Sequence, residues 1–174
     1  PYINMLKVLY CSQTATESRP FTLERGVKQG DPISSLLFIA VMEVVFRRLK
    51  SRWNMLNKRR TGHYYGMVID NPEDPLTNLR FADDVLLVAS SRGDVAKMIA
   101  DLSREASNYG LKLHMGKTVI LTNKSPETRP STVMSCGGEV RVAGAEDAER
   151  YLGRKLSVEA YHATELSNRV AAAW

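Results

Sequence analysis

The sequence predicts an α+β fold in which two long helices cover one face of an antiparallel sheet and leave the other face free for a ligand. Three observations point that way. Two long segments carry apolar residues at helical spacing, and several short runs read as strands. Two adjacent aspartates, Asp83 and Asp84, stand at the bend between two apolar strands.

Taken in order, Ile3 to Tyr10 places Ile3, Leu6 and Tyr10 as a short amphipathic helix would, and the polar run CSQTATESRP ends it. Thr14 to Thr16 and Phe21 to Leu23 read as two short strands around a Ser18-Arg19-Pro20 turn. Asp31 and Pro32 open a helix, with Asp31 as N-cap and Pro32 where an amide hydrogen is not missed. That helix is expected over Ile33 to about Trp53, with its apolar first half buried and its basic second half exposed. Tyr64 to Ile69, Asn78 to Ala82 and Val85 to Ala89 are strand candidates, and the last two form a hairpin with Asp83 and Asp84 at its tip.

Ser91 and Asp94 make a capping-box-like start to the second long helix, whose Val95, Met98, Ile99, Leu102, Ala106 and Tyr109 follow at three- and four-residue steps until Gly110 stops it. Thr118 to Leu121, Thr132 to Ser135, Glu139 to Val142 and Arg150 to Leu156 read as further strands. There is no internal repeat and no low-complexity tract.

A chain of 174 residues, 44% hydrophobic and 25% charged, suits one domain with one core. It opens on Pro1 and closes on ELSNRVAAAW, so both ends read as cut from something longer. Cys11 and Cys136 lie far apart without a CxxC partner, which argues against a zinc ribbon or a disulfide scaffold and makes a reducing compartment the default. No apolar run approaches the roughly 18 residues of a membrane span, and no signal peptide is recognisable. The expected location is intracellular, in nucleus or cytoplasm, with no membrane partner.

Lys and Arg outnumber Asp and Glu by 24 to 19, a net charge of +5 that hints at polyanion binding. Arg47, Arg48, Lys50, Arg52, Lys58, Arg59 and Arg60 concentrate this charge with no acidic residue among them. Two readings stand: a solvated helix end, or a face that contacts nucleic-acid phosphates through Lys58, Arg59 and Arg60. Trp53 in the same stretch either stacks on a base or packs beneath its helix.

Burying Asp83 and Asp84 between apolar strands would be costly without a counter-charge, and Arg80 is the only cation near them in sequence. Magnesium, which takes one or two carboxylates plus substrate phosphates, would meet the need. An Asp-Asp pair alone is more often a solvated turn. Its surroundings say more, because FADD bracketed by apolar strands is similar to the aromatic-x-Asp-Asp motif of reverse transcriptases. RGVKQGDPISSLLF resembles the family's upstream motif, LKLHMGKT the motif after the long helix, and YLG at Tyr151 to Gly153 the primer-grip motif. The alanine of FADD is typical of the LINE and group II intron branches, and ELSNRV looks like the opening helix of the thumb that follows YLG in the LINE (non-LTR) branch.

The resemblance implies the palm of a right-hand polymerase, with residues 1–157 as partial fingers and palm and 158–174 as the beginning of the thumb. It implies RNA-directed DNA synthesis, with an RNA template, a DNA primer and dNTPs as partners. Asp83 would bind both magnesium ions and Asp84 would play a lesser part. Gln29, Gly30, Phe81 and Ala82 would lie against the incoming nucleotide, with no side chain at Gly30 to block close approach. Lys117 would protonate the departing pyrophosphate or simply supply positive charge. Tyr151, Leu152 and Gly153 would hold the primer strand.

Plainer readings stand beside each of these: a turn glycine at Gly30, a surface lysine at Lys117 and a core hairpin at Tyr151 to Gly153. The chain departs from the family at His114, where Asn is usual, and His114 reads as structural. The further catalytic aspartate of the family belongs upstream of YINMLKVLY. Asp31, Asp70, Asp74 and Asp147 do not replace it, so the second magnesium ion depends on a carboxylate that this stretch does not carry. The stretch is therefore expected to be an incomplete catalyst within an active parent. Alternatives are a group II intron-encoded reverse transcriptase and a non-catalytic nucleic-acid-binding remnant.

Overall fold

The structure, a computed structural model, describes residues 4, 7–8, 14–16, 20–22, 30–58, 65–71, 73–145, 147–158 and 161–173. The chain divides into two compact units, residues 1–43 and 44–174. In the first, Asn4, Lys7 and Val8 are helical, and the rest of the helix expected over Ile3 to Tyr10 lies outside the described residues. Strands β1 (Thr14–Thr16) and β2 (Pro20–Thr22) pair antiparallel, with Pro20, expected in the turn, paired to Thr16 instead.

Helix α1 (Pro32–Asn57) begins where Asp31 and Pro32 direct it: Ile33 N–H donates to Asp31 Oδ1 at 3.0 Å and Ser34 N–H to Asp31 O at 3.0 Å. It runs past the expected end near Trp53. The expected division of burial holds only for the charges of the second half, where Arg47, Arg48, Lys50 and Arg52 are exposed. Leu36 and Ile39 of the first half are 66% and 51% exposed, whereas Val45, Phe46, Leu49 and Trp53 of the second are buried. The cause is patterning: a helix apolar on all sides leaves residues in water when only one side packs, while a single stripe with Arg and Lys on its back can be covered completely.

Helix α2 (Arg92–Ser107) has the predicted caps. The Ser91 hydroxyl accepts the Asp94 N–H at 3.1 Å and donates to Asp94 Oδ2 at 2.8 Å. At the other end Leu111 N–H reaches Ala106 O at 3.1 Å and Gly110 N–H reaches Ser107 O at 3.0 Å, with Gly110 at φ +74°, a Schellman turn. The second half of α1 packs on α2 through a buried polar contact: Trp53 Nε1 donates to Asp101 Oδ2 at 3.0 Å. Arg104 pairs with the same carboxylate, and Arg52 lies 3.7 Å from it, so the buried Asp101 is compensated. Trp53 is fully buried and stacked at 6.4 Å on Tyr65, which makes it a core residue; its side chain is not available to a base.

The expected single antiparallel sheet is instead several small ones. Strands β3 (Asn78–Phe81) and β4 (Asp84–Leu87) form one hairpin, and β8 (Glu149–Tyr151) and β9 (Arg154–Leu156) form another. Between them β5 (Val119–Leu121), β6 (Thr132–Ser135) and β7 (Gly138–Ala143) make a sheet ordered β5-β7-β6, in which β5 runs parallel to β7. Runs of three to six residues, each closed by turn residues, end every ladder before it joins the next. The core between α2 and this sheet is Ile99, Ile120, Val140 and Val142, with Leu87 of β4 packed against it. Each such side chain, fully buried, contributes about 1.5–3 kcal/mol of transfer free energy.

The strand expected over Tyr64 to Ile69 is reduced to two bridges, Tyr65 to Ala89 and Met67 to Leu76, and Tyr64 lies outside the described residues. Asn57 completes it from the end of α1: its amide donates to Tyr65 O at 2.9 Å and accepts Tyr65 N–H at 2.8 Å, as a strand would. Gly66 between the bridges has φ +105°, and a Cβ there would lie 2.9 Å from Leu76 O, so no other residue fits.

Candidate active site

In the β3–β4 hairpin Leu79 faces Leu86, Arg80 faces Val85 and Phe81 faces Asp84, which leaves a two-residue turn of Ala82 and Asp83. Ala82 has φ +52°, a left-handed conformation that two-residue hairpins require and that glycine usually supplies. Because side chains alternate, Leu79, Phe81, Asp84 and Leu86 share one face and Arg80, Val85 and Leu87 the other. The second face is the packed one: Leu87 meets the core, and the Arg80 guanidinium lies 4.7 Å from the Phe46 ring centroid. The first is open, with Phe81 65% and Leu79 48% exposed.

Asp83 thus sits at the tip, and Asp84 begins β4 on the open face. Both are solvent-exposed, so the expectation that they are buried between apolar strands, and need a cation for that reason, is not met. The turn carries Asp83 clear of the strands, and Asp84 is exposed because it begins β4 on the open face. Two hard oxygen donors side by side in water suit magnesium, which retains several waters and takes one or two carboxylates plus phosphates. Among the described residues no group of three or more His, Cys, Asp or Glu side chains stands where it would hold a metal ion.

A second turn reaches the same neighbourhood. Tyr151 pairs with Arg154 across Leu152 and Gly153, whose φ values of +50° and +76° mark a type I′ turn. Partial burial, and then the negative charge of Asp84, push the Tyr151 phenol above its ordinary range. Leu152 is 45% exposed at the tip. The hairpin is held at its base, where Arg141 pairs with Glu149 and the Ser157 hydroxyl donates to Ala145 O at 2.9 Å.

Lys117 ends a short 3₁₀ turn, Met115–Lys117, with its side chain in solvent. The backbone carbonyl of His114 closes that turn, and the residue itself is exposed. His114 O accepts Lys117 N–H at 2.9 Å and the Thr118 hydroxyl at 3.1 Å, and a Cβ at Gly116 would come 3.3 Å from the imidazole. In the first unit Gly30 has φ +88°, and a Cβ there would meet nothing within 4 Å, so the backbone conformation is what calls for glycine. Gln29 lies outside the described residues.

The basic stretch is less free than its sequence indicates. Arg48 bonds Glu105 at 3.0 Å, Lys50 bonds Asp74 at 2.9 Å and Arg52 approaches Asp101. These acids come from α2 and the loop before β3, so sequence neighbours did not show them. Lys58 is exposed, and Arg59 and Arg60 lie outside the described residues.

The sequence reading also missed Glu165, on helix α3 (Tyr161–Ala173), whose buried carboxylate accepts the Lys155 N–H of β9 at 3.0 Å and Arg169 Nε at 2.9 Å. The Glu165–Arg169 spacing was visible; the backbone partner was not.

The family model described as reverse transcriptase (RNA-dependent DNA polymerase) matches residues 2–156. A transposon-derived protein of Caenorhabditis elegans is 36% identical over 101 residues, covering 57% of this chain and 35% of that protein. The retrovirus-related Pol polyprotein from the type-1 retrotransposable element R2 of Nasonia vitripennis is 31% identical over 147 residues, 79% of this chain and 13% of the polyprotein. Its counterpart from the type-2 element R2DM of Drosophila melanogaster is 30% identical over 142 residues, 78% of this chain and 12% of the polyprotein. The chain thus spans about a third or less of the length of these relatives.

Proposed function

The chain belongs to the reverse transcriptase family, and from that premise we propose that it is the palm-bearing segment of an RNA-directed DNA polymerase of a LINE-type retrotransposon. The observation that carries the reading is the β3–β4 turn, which holds Asp83 at an exposed tip and Asp84 beside Phe81 on the open face while Arg80 and Leu87 anchor the back. Residues 1–157 are read as partial fingers and palm and 158–174 as the start of the thumb. RNA template, DNA primer and dNTP are the partners, within nucleus or cytoplasm. No helix among the described residues is long and apolar enough to cross a membrane.

Asp83 and Asp84 would hold Mg2+, which supplies activation of the primer 3′-hydroxyl and neutralises charge on the triphosphate. The chain's own residues do the rest. Phe81 and Ala82 offer an apolar edge to the nucleotide beside the carboxylates. Gln29 and Gly30 are assigned to the same nucleotide on the family motif. Tyr151, Leu152 and Gly153 hold the primer, and the Tyr151 phenol, kept protonated, remains a hydrogen-bond donor near Asp84. Lys117 supplies positive charge to the leaving pyrophosphate, and Lys58, Arg59 and Arg60 meet backbone phosphates.

Primer extension on an RNA template by the full-length protein tests the proposal. Magnesium-dependent synthesis that Asp83→Asn abolishes supports it; synthesis unaffected by that change removes the catalytic assignment.

A further inference from the structure

We propose that Glu165 is a positioning residue: its carboxylate clasps α3 to the outer edge of β9 and so fixes the Tyr151-Leu152-Gly153 turn against a primer strand. What the turn touches rests on the polymerase reading above; the clasp rests on geometry. In an antiparallel hairpin closed by a two-residue turn, the closing pair exchanges both hydrogen bonds and the next pair exchanges none. Tyr151–Arg154 is the closing pair here and Arg150–Lys155 the next, so the Lys155 N–H points outward, away from β8.

Glu165 Oε2 takes that N–H at 3.0 Å while Oε1 takes Arg169 Nε at 2.9 Å, and the residue is only 8% exposed. A charge-assisted bond therefore stands where a third strand would otherwise pair. It falls on the second residue beyond Gly153. The base of the hairpin is fixed independently through Arg141–Glu149 and Ser157–Ala145, so Glu165 governs the outer edge alone. Without it the strand that leads out of the tip, with its exposed Leu152, loses this bond to α3.

The test uses the full-length protein with Glu165→Ala and Glu165→Gln, reading amide hydrogen exchange at Lys155, primer-template affinity, and kcat at saturating primer. Glu165→Ala is expected to speed exchange at Lys155 and to weaken primer binding by roughly tenfold, leaving kcat near its original value. Glu165→Gln, whose amide oxygen still accepts the Lys155 N–H, is expected to restore most of the affinity.

Unchanged exchange at Lys155 in Glu165→Ala would remove the clasp. Faster exchange with unaltered primer affinity, or a loss confined to kcat, would remove the positioning role. Should Glu165→Ala not fold, Glu165→Gln decides: affinity near the original supports the clasp, and loss equal to a full knockout overturns it. An unsubstituted protein that extends no primer would count against the polymerase reading, while the exchange result would still decide the clasp.

Discussion

Phe81 and Asp84 face one another across a two-residue turn, so the carboxylate of Asp84 shares a sheet face with an exposed aromatic ring while Asp83 alone occupies the tip. The two aspartates are adjacent in sequence and unequal in place. In the full-length protein Asp83→Asn is expected to lower primer extension by at least about a hundredfold, and Asp84→Asn to lower it less. Residues 1–174 taken alone are expected to bind magnesium weakly and to extend no primer, because one Asp-Asp turn supplies too few oxygen ligands for two ions. Equal losses from the two substitutions would contradict the assigned inequality.

How far the sequence carried these conclusions depends on the range of the interactions concerned. The hairpin and both ends of α2 were legible because capping and turn preferences act within a few residues, as Ser91 with Asp94 and Gly110 with Ser107 show, whereas the turn itself is Ala82-Asp83, one residue earlier than the expected Asp83-Asp84. The burial of α1 was misjudged because composition does not tell which side of a helix finds a neighbour. The exposure of Asp83 and Asp84 has a related cause: apolar flanks do not enclose a two-residue turn, which projects Asp83 beyond its strands, and Asp84 stands on the sheet face that is left open. The ion pairs of Arg48, Lys50 and Arg52 join elements far apart in sequence and had no local signal.

Those ion pairs divide the basic stretch. Replacing Lys58, Arg59 and Arg60 with Ala is expected to flatten the slope of log affinity for nucleic acid against log salt by up to about 2 to 3. Replacing Arg48, Lys50 and Arg52, whose charges are already met by acids, is expected to change the slope less. Filter-binding titrations across salt concentrations measure both; a larger effect from the second set would relocate the phosphate contacts.

Lys117→Ala in the full-length protein is expected to slow single-nucleotide addition by about 10²-fold or more while primer-template affinity stays near its original value, since the charge acts on the leaving group. Single-turnover rates alongside equilibrium binding separate the two effects. A loss confined to affinity would reject the role.

Gly66→Ala is expected to destabilise the fold by about 1 to 3 kcal/mol or more, because φ is +105° and the new Cβ would press on Leu76 O. Denaturant unfolding gives the value. Gly30→Ala provides the comparison: it also has a positive φ, but the new methyl group would meet no atom within 4 Å, so its cost should be smaller.

The Glu165 carboxyl is held below its ordinary range by the Lys155 N–H, and then by Arg169 and Arg154. A group whose folded pKa is depressed contributes stability that is present above its unfolded pKa, near 4.3, and is lost as pH falls through the lower folded value. Anchoring of α3 should therefore be unaffected between pH 7 and about 5 and should weaken only in more acidic solution. Amide exchange along residues 161–173 as a function of pH reports it, and release of the helix near neutral pH would contradict the sign.

The same carboxylate has a consequence for life in a crowded solution. A hairpin edge with outward N–H groups is a template on which a second chain can add a strand, and edge-to-edge growth of that kind leads to aggregates. On β9 the outward donor at Lys155 is occupied by Glu165, and the strand is only three residues long. A side chain from the following helix thus closes an edge that would otherwise be open to self-association, so the clasp guards colloidal behaviour as well as the shape of the turn.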